Sequence, residues 1–125
     1  MVKASRAHSF SLDSRWSSEV LAHGFTAIPN LLLKHRNALG ITTTELYVFL
    51  TLESYRWDNK NLPFPSLDSI SMRTGLHRQT VYRSIKRLEE RNLILKHRRY
   101  SQSTEYDLSP ADTQLREVLD IINQV

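Results

Sequence analysis

The apolar residues of this chain follow helical spacing over most of its length and indicate short strands near residues 93–108. Three of them recur at intervals of four and three, and so share one face of a helix over about residues 78–91: Val81, Ile85 and Leu88. Ser66 is placed to cap a shorter helix over residues 67–73, and Gly75 supplies a turn between the two. The pattern therefore predicts two helices joined by a tight glycine turn.

The segment before this pair carries a strong helix start signal. Thr42 and Glu45 have the spacing of a capping box, in which each side chain accepts a hydrogen bond from the other residue's backbone amide. A helix over residues 43–55 should follow, with three apolar residues on one face: Leu46, Phe49 and Leu50. Asn30 is expected to cap a shorter helix that ends near Asn37 or Gly40.

Two short stretches near the end of the basic region, residues 93–98 and 104–108, flank a polar connection and are typical of a β-hairpin. Two helices around a turn followed by such a hairpin predict a mainly α fold with a small β-hairpin, the winged helix-turn-helix. Three parts are expected. Residues 1–24 form an N-terminal arm that is partly disordered or holds a short helix near residues 13–23, residues 25–108 form the winged helix-turn-helix domain, and residues 109–125 form a C-terminal helix.

This C-terminal helix carries an apolar seam. Four members recur at spacings of three or four, and a fifth lies beside them: Leu115, Val118, Leu119, Ile122 and Val125. A seam of this kind is typical of a surface that packs against another helix. Three partners remain open: a second copy of the chain, which would make the helix a dimerisation element, a different protein, or the chain's own domain near Leu46 and Phe49.

Positive charge is concentrated in one region. Residues 70–100 include nine lysines and arginines but only two acids, whereas the formal net charge of the whole chain is +4. A local excess of this kind is expected of a face that binds a polyanion. On the longer helix the candidate DNA contacts are His77, Arg78, Gln79, Thr80, Tyr82, Arg83 and Lys86. On the hairpin they are Arg98, Arg99, Tyr100 and Gln102.

The chemistry of these side chains suits duplex DNA. Arginine can grip guanine through two hydrogen bonds and glutamine can do the same with adenine, each worth about 1–3 kcal/mol of discrimination. Hydroxyl side chains such as Thr80 and Tyr82 more commonly touch phosphates, which sets the register without reading sequence.

Several of these residues also have a plainer interpretation. Arg87, Glu90 and Arg91 are expected to be solvated, with Arg87 pairing to a neighbour. Charged residues at a hairpin tip also keep a sheet edge soluble, and Tyr100 would commonly pack on its own hairpin. His77 stands where serine or threonine would be the better cap, so it is interpreted as a residue that does not cap, and that either contacts DNA or is merely tolerated.

Composition narrows the function classes. The chain has no cysteine, which excludes disulfides and thiolate zinc sites. With glycine only at positions 24, 40 and 75 it lacks a phosphate-cradling loop, and no triad or metal-ligand spacing is present, so a protein without enzymatic activity, metal or cofactor is expected. No apolar run approaches the about 18 residues of a membrane span, and no secretory signal is visible, so a cytoplasmic location is expected.

The stretch TGLHRQTVYRSIKRLEERNLI resembles the recognition segment of bacterial winged helix-turn-helix DNA-binding proteins. The lead-in GFTAIPNLLLKHRNALGITTTELYVFLTLESY is similar to the front of helix-turn-helix domains in plasmid and phage replication initiators, DnaD-type primosomal proteins and small mobile-element regulators. The resemblance implies a sequence-directed binder of duplex DNA that is commonly a homodimer. His77 in place of the usual cap, and Asn92 where glycine is frequent, depart from the pattern.

Two functions follow as expectations. The first is a small dimeric transcriptional regulator that places residues 77–91 in the major groove and residues 93–108 on the backbone or minor groove. The second is the DNA-binding domain of a replication initiator or primosome-type protein whose C-terminal helix recruits a protein partner. A winged helix that docks proteins only is a third class, against which the local positive charge argues.

Overall fold

The computed structural model describes residues 12–56 and 61–124. In chain order the elements are α1 (Leu12–Arg15), α2 (Ser18–Leu21), α3 (Asn30–Lys34), α4 (Arg36–Leu39), α5 (Thr43–Ser54), α6 (Leu67–Thr74), α7 (Arg78–Glu90), β1 (Leu95–His97), β2 (Glu105–Asp107) and α8 (Pro110–Gln124). The two strands pair antiparallel, with Lys96 opposite Tyr106. This confirms the predicted fold class, a mainly helical winged helix-turn-helix with one small hairpin.

The N-terminal helices are more broken than the sequence pattern predicts. The Ser17 side chain accepts a hydrogen bond from the Val20 amide and starts α2 there, so the expected helix over residues 13–23 is two separate turns. The segment after Pro29 likewise divides at His35, whose backbone leaves the helical region. Asn30 is the first helical residue and Pro29 stands at the cap position, so the prediction of an Asn30 cap was wrong.

Helix α5 begins as predicted. The Thr42 amide donates to the Glu45 carboxylate at 2.9 Å, and the Glu45 amide donates to the Thr42 hydroxyl at 3.1 Å, which completes the capping box. Its buried face is rotated from the predicted one, since Val48 and Leu52 are fully buried while Leu46 and Leu50 are only partly so. The helix packs on both α6 and α7, and burial against two neighbours widens the apolar face beyond a single stripe.

The turn between α6 and α7 is fixed by glycine and by hydroxyl groups. Gly75 adopts φ 75°, a left-handed conformation that an L side chain rarely accepts. The Ser71 hydroxyl donates to the Leu76 carbonyl at 2.6 Å, and the Leu76 amide donates to the Thr74 hydroxyl at 3.1 Å. These bonds satisfy backbone groups that the turn removes from the helical ladder.

Helix α7 ends in a left-handed residue. Asn92 has φ 58°, and the Leu93 amide donates to the Leu88 carbonyl at 3.0 Å, the six-to-one bond of a Schellman motif. Asparagine tolerates this conformation better than most side chains, which explains why it can stand where glycine is frequent. The turn brings Leu93 and Ile94 into the core immediately before β1.

The core lies between α5, α6, α7 and the base of the hairpin. Its fully buried members include the central residues of each element: Val48, Leu52, Ile70, Val81, Leu88, Leu93 and Ile94. The amide of Tyr106 in β2 donates to the Pro63 carbonyl at 2.9 Å, so the extended lead-in to α6 lies beside the hairpin. This joins the hairpin to the helix-turn-helix through the backbone.

The C-terminal helix α8 divides the predicted seam between two environments. Leu115 is buried in the chain's own core and Val118 packs against that core, on the side where α8 meets α4. Leu119 and Ile122 are exposed, as is Ile121. Val125 lies outside the described residues. Leu115 therefore packs inside this domain, and only the outer residues of the helix remain free to meet another surface.

Candidate nucleic-acid interface

One side of α7 is buried and the opposite side is polar. The predicted stripe of Val81, Ile85 and Leu88 lies in the core. Six of the seven candidate contacts at or along this helix are exposed, while the seventh, Thr80, is half-buried: His77, Arg78, Gln79, Thr80, Tyr82, Arg83 and Lys86. The packed side fixes the helix to the domain, and the other side presents donors to the solvent.

Three polar side chains on this outer face are uncommitted. Within the part of the chain that the structure describes, the side chains of Gln79, Arg83 and Lys86 make no hydrogen bond or ion pair. A long cationic side chain that has no internal partner keeps all its donors for a ligand. Two positive charges and one amide are therefore presented together.

His77 does cap α7, which corrects the interpretation of it as a residue that does not cap. Its Nδ1 accepts a hydrogen bond from the Gln79 amide at 3.1 Å, a bond that the short oxygen side chains usually provide. Because Nδ1 is the acceptor, the proton of the neutral ring lies on Nε2. The ring is exposed, so His77 offers a donor at the N-terminus of the helix while it caps it.

The C-terminal part of α7 is tied to the scaffold. Glu89 pairs with Lys96 of β1 at 3.4 Å, and Arg87 pairs with Glu90 at 3.9 Å. The Arg91 guanidinium lies against Gly40, so closely that a Cβ added there would be 2.8 Å from its Cζ. The Arg87–Glu90 pair fits the plainer interpretation of those residues, whereas Arg91 packs against the α4–α5 turn.

The two neighbouring arginines of the hairpin have different surroundings. Arg99 Nε donates to the Ser103 carbonyl at 2.8 Å, its Nη1 lies 3.5 Å from the Glu105 carboxylate, and its guanidinium lies over the Phe64 ring at 5.3 Å. Arg98 is exposed and makes no hydrogen bond or ion pair in the described part of the chain. Arg99 therefore braces the hairpin, and Arg98 presents a free charge.

The hairpin tip projects into solvent. Tyr100 is 97% exposed, so it does not pack on its own hairpin as a tyrosine there commonly would. Ser101 adopts φ 57° next to it, and Gln102 is also exposed. The tip thus carries an aromatic ring and an amide beside the free charge of Arg98.

The base of the hairpin holds two groups with altered acidity. Burial raises the pKa of the Tyr106 hydroxyl, and the nearby Glu89 carboxylate raises it further. Burial also acts to raise the pKa of Asp107, but hydrogen bonds from Ser109 outweigh it and leave the pKa below its usual range. The Ser109 amide donates to Asp107 at 3.0 Å, so this carboxylate fixes the junction between β2 and α8.

Among residues 12–56 and 61–124, no three histidine, cysteine or acidic side chains are grouped so as to hold a metal ion. Over the same residues, none of the helices combines the length and the apolar character that crossing a membrane requires.

Comparison with known proteins agrees with this geometry. Residues 39–94 match a family described as Helix-turn-helix domain. The fold is similar to the N-terminal domain of DnaD protein from Geobacillus kaustophilus HTA426, at 26% identity and a TM-score of 0.66, over 83% of this chain and 87% of that one. A MarR/EmrR family transcriptional regulator from Acinetobacter sp. ADP1 also matches, at 24% identity and a TM-score of 0.48, over 91% of this chain and 77% of that one. No curated protein sequence matches.

The matched range runs from the end of α4 through α5, α6 and α7 to the residue before β1. It thus includes the glycine turn and the exposed face of α7, and the hairpin follows directly. Residues 39–94 are therefore similar to helix-turn-helix domains, and the fold has the winged form, which supports DNA binding.

Proposed function

We propose that the protein binds duplex DNA in a sequence-directed way, with α7 in the major groove and the hairpin on the backbone or in the minor groove. The observation that carries the proposal is the outer face of α7, where Gln79, Arg83 and Lys86 are exposed and uncommitted. A helix can read the major groove only if one side is held by the protein and the other presents donors to base edges.

The side chains divide between reading bases and holding the backbone. Arg78 and Gln79, in the first turn, and Arg83, one turn later, are proposed to reach base edges. Thr80, Tyr82 and Lys86 are proposed to contact phosphates. On the hairpin we assign the contact chiefly to Arg98 with Tyr100 and Gln102, since Arg99 is held by Ser103 and Glu105.

A small dimeric transcriptional regulator is the form of this function that we favour. The exposed outer residues of α8 support it, since Leu119, Ile121 and Ile122 are apolar and open to solvent on one helix. Two copies joined there would present two α7 helices to a pair of half-sites. A homodimer of this kind would work in the cytoplasm, where the DNA of a bacterial cell lies.

A second candidate is the DNA-binding domain of a replication initiator or primosome-type protein. The similarity to the N-terminal domain of DnaD protein, which spans most of both chains, favours it. In this case α8 would recruit a different replication protein, and the purified chain would remain monomeric.

Enrichment sequencing of duplex fragments bound at physiological salt tests the proposal and separates the two candidates. An inverted repeat with half-sites about one helical turn apart indicates a dimeric regulator, and direct repeats indicate replication initiation.

Arg83→Ala should reduce discrimination among duplexes, whereas Arg116→Ala, which removes the same charge from α8, should not. If about six to eight phosphates are neutralised, the logarithm of affinity should fall with that of salt at a slope of about −5 to −7. No enrichment and a flat salt dependence would contradict DNA binding.

A further inference from the structure

An acidic residue lies beside the N-terminus of α7, next to the face that carries the uncommitted donors. Asp68 stands in the first turn of α6, and its carboxylate approaches the Arg78 guanidinium at 3.4 Å, through Nε. The acids further along α7 are paired near its other end, Glu89 to Lys96 and Glu90 to Arg87. Asp68 thus places a negative charge where a polyanion is expected to dock.

The ion pair between Asp68 and Arg78 adds little to the stability of the fold. The side chains are 62% and 75% exposed, and pairs between such exposed groups add little to the folded state because water screens them. Asp68 also lies near the positive end of the α6 dipole, which favours a carboxylate there and is the plainer explanation of the residue. If the helix dipole were the whole explanation, replacing Asp68 would change the stability of the fold and leave DNA recognition unaltered.

The geometry suits a different role. The closest contact uses Nε, and the Arg78 side chain makes no hydrogen bond and no ion pair with any other residue in the described part of the chain, so its two terminal nitrogens are left for a ligand. Those nitrogens form the fork that can grip guanine O6 and N7 together. When DNA covers the pair and excludes water, the attraction between the two groups strengthens and restricts the guanidinium further.

We propose that Asp68 is a positioning residue that holds Arg78 so that its terminal nitrogens address one base, and this rests on the proposed DNA binding. A carboxylate at this place repels phosphates, so it weakens binding to every duplex. The same carboxylate improves the preference for the duplex that carries the recognised sequence, because it reduces the number of orientations that Arg78 can sample. Selectivity is therefore gained at the expense of general affinity.

The test compares four forms of the full chain by enrichment sequencing and by titration of one enriched and one unrelated duplex. They are the wild type, Asp68→Asn, Arg78→Ala and the double variant. Asp68→Asn should leave affinity for the unrelated duplex equal or higher and should lower the preference for the enriched duplex by about three- to tenfold, part of the discrimination of one bidentate contact. The loss should fall on one base position. In the Arg78→Ala background, the same change should leave the preference unaltered.

Two controls separate this role from a structural one. Asp112→Asn removes an acid from the first turn of α8, where it pairs with Arg116 at 2.9 Å, and should not alter the preference. Arg78→Lys keeps the charge without the planar fork, so it should lose the preference while retaining the salt slope. Thermal unfolding of each variant checks the fold.

The proposal is overturned if Asp68→Asn weakens both duplexes equally, or if its effect persists in the Arg78→Ala background. A wild-type protein that prefers no duplex overturns the proposed function as well. The two failures are distinguishable, because the failure of the proposed DNA binding is seen with the wild type alone, whereas the failure of the Asp68 proposal is seen only in the variants.

Discussion

His77 shows how one side chain can complete a helix and still face a ligand. Its Nδ1 caps the Gln79 amide at 3.1 Å, and its exposed ring leaves Nε2–H as a donor at the start of α7. A serine at this position could also donate from its hydroxyl, but the side chain is shorter and its donor would lie closer to the backbone than Nε2–H does. The imidazole extends the reach, so the departure from the usual cap is compatible with both functions.

Replacing His77 separates the cap from the contact. His77→Ala should lower the free energy of unfolding by about 0.5–2 kcal/mol, because it removes an N-cap acceptor. His77→Asn keeps an acceptor and should retain most of that stability, yet it should weaken DNA binding several-fold because its amide donor has a shorter reach than the ring Nε2–H. Chemical denaturation and a DNA titration of both variants measure the two effects. If His77→Asn binds DNA as tightly as the wild type, His77 acts only as a cap.

Residue type alone did not distinguish the two hairpin arginines. Arg98 and Arg99 are neighbours of the same charge, and both were candidate DNA contacts. Only tertiary geometry shows that Arg99 is bound to the Ser103 carbonyl and lies over Phe64, while Arg98 is free. Asp68 was missed because it lies ten positions before Arg78 in sequence and meets it only after the turn at Gly75 folds.

At the scale of elements, three local signals were confirmed, although the cap predicted at Asn30 was wrong. The capping box of Thr42, the cap at Ser66 and the turn at Gly75 are encoded within a few residues, and all three are present. The buried face of α5 was predicted only in part, because two packed neighbours, rather than the helix alone, determine it. The break at His35 likewise follows from no local breaker such as proline or glycine.

Gly40 and Gly75 allow the cost of a left-handed backbone to be measured with and without a steric contact. They have φ 74° and 75°, but a Cβ at Gly40 would touch Arg91 whereas one at Gly75 would meet nothing within 4 Å. Gly75→Ala should therefore lower the free energy of unfolding by about 1–2 kcal/mol, the cost of the conformation alone. Gly40→Ala should lower it further.

Denaturant unfolding of both variants measures the difference between their losses in the free energy of unfolding. Adding Arg91→Ala to Gly40→Ala should remove the extra loss at Gly40. Equal losses at the two glycines would show that the Arg91 guanidinium moves aside freely. It would then contribute nothing to the junction of α4, α5 and the end of α7.

At the scale of the whole molecule, α8 divides its residues between the domain core and the solvent. Its inner residues, Ala111 and Leu115, complete the domain core, and its outer residues are exposed. The sequence seam did not separate these groups, because helical spacing shows that residues share a face without showing what covers each one.

Replacing the outer residues tests whether α8 joins two copies. Leu119→Lys with Ile122→Lys should convert a concentration-dependent dimer into a monomer, because two charges would be buried at the interface. The unfolding temperature of the isolated domain should change little. Sedimentation velocity at several concentrations measures assembly, and Thr113→Lys, on an exposed position of the same helix, is the control. A wild type that sediments as a monomer throughout would favour the replication candidate.

The hydrogen bond from Tyr106 to the Pro63 carbonyl also limits how far the sheet can grow. It places the lead-in segment along β2, with β1 on the other side of that strand. The segment contains Pro63 and Pro65, which have no amide hydrogen, so it cannot complete a hydrogen-bonded ladder with β2. A foreign strand that approached β2 from this side would find its edge already covered by the segment. The small sheet is thus protected on that side against edge-to-edge aggregation, even at the high local concentrations that arise when many copies collect on one DNA molecule.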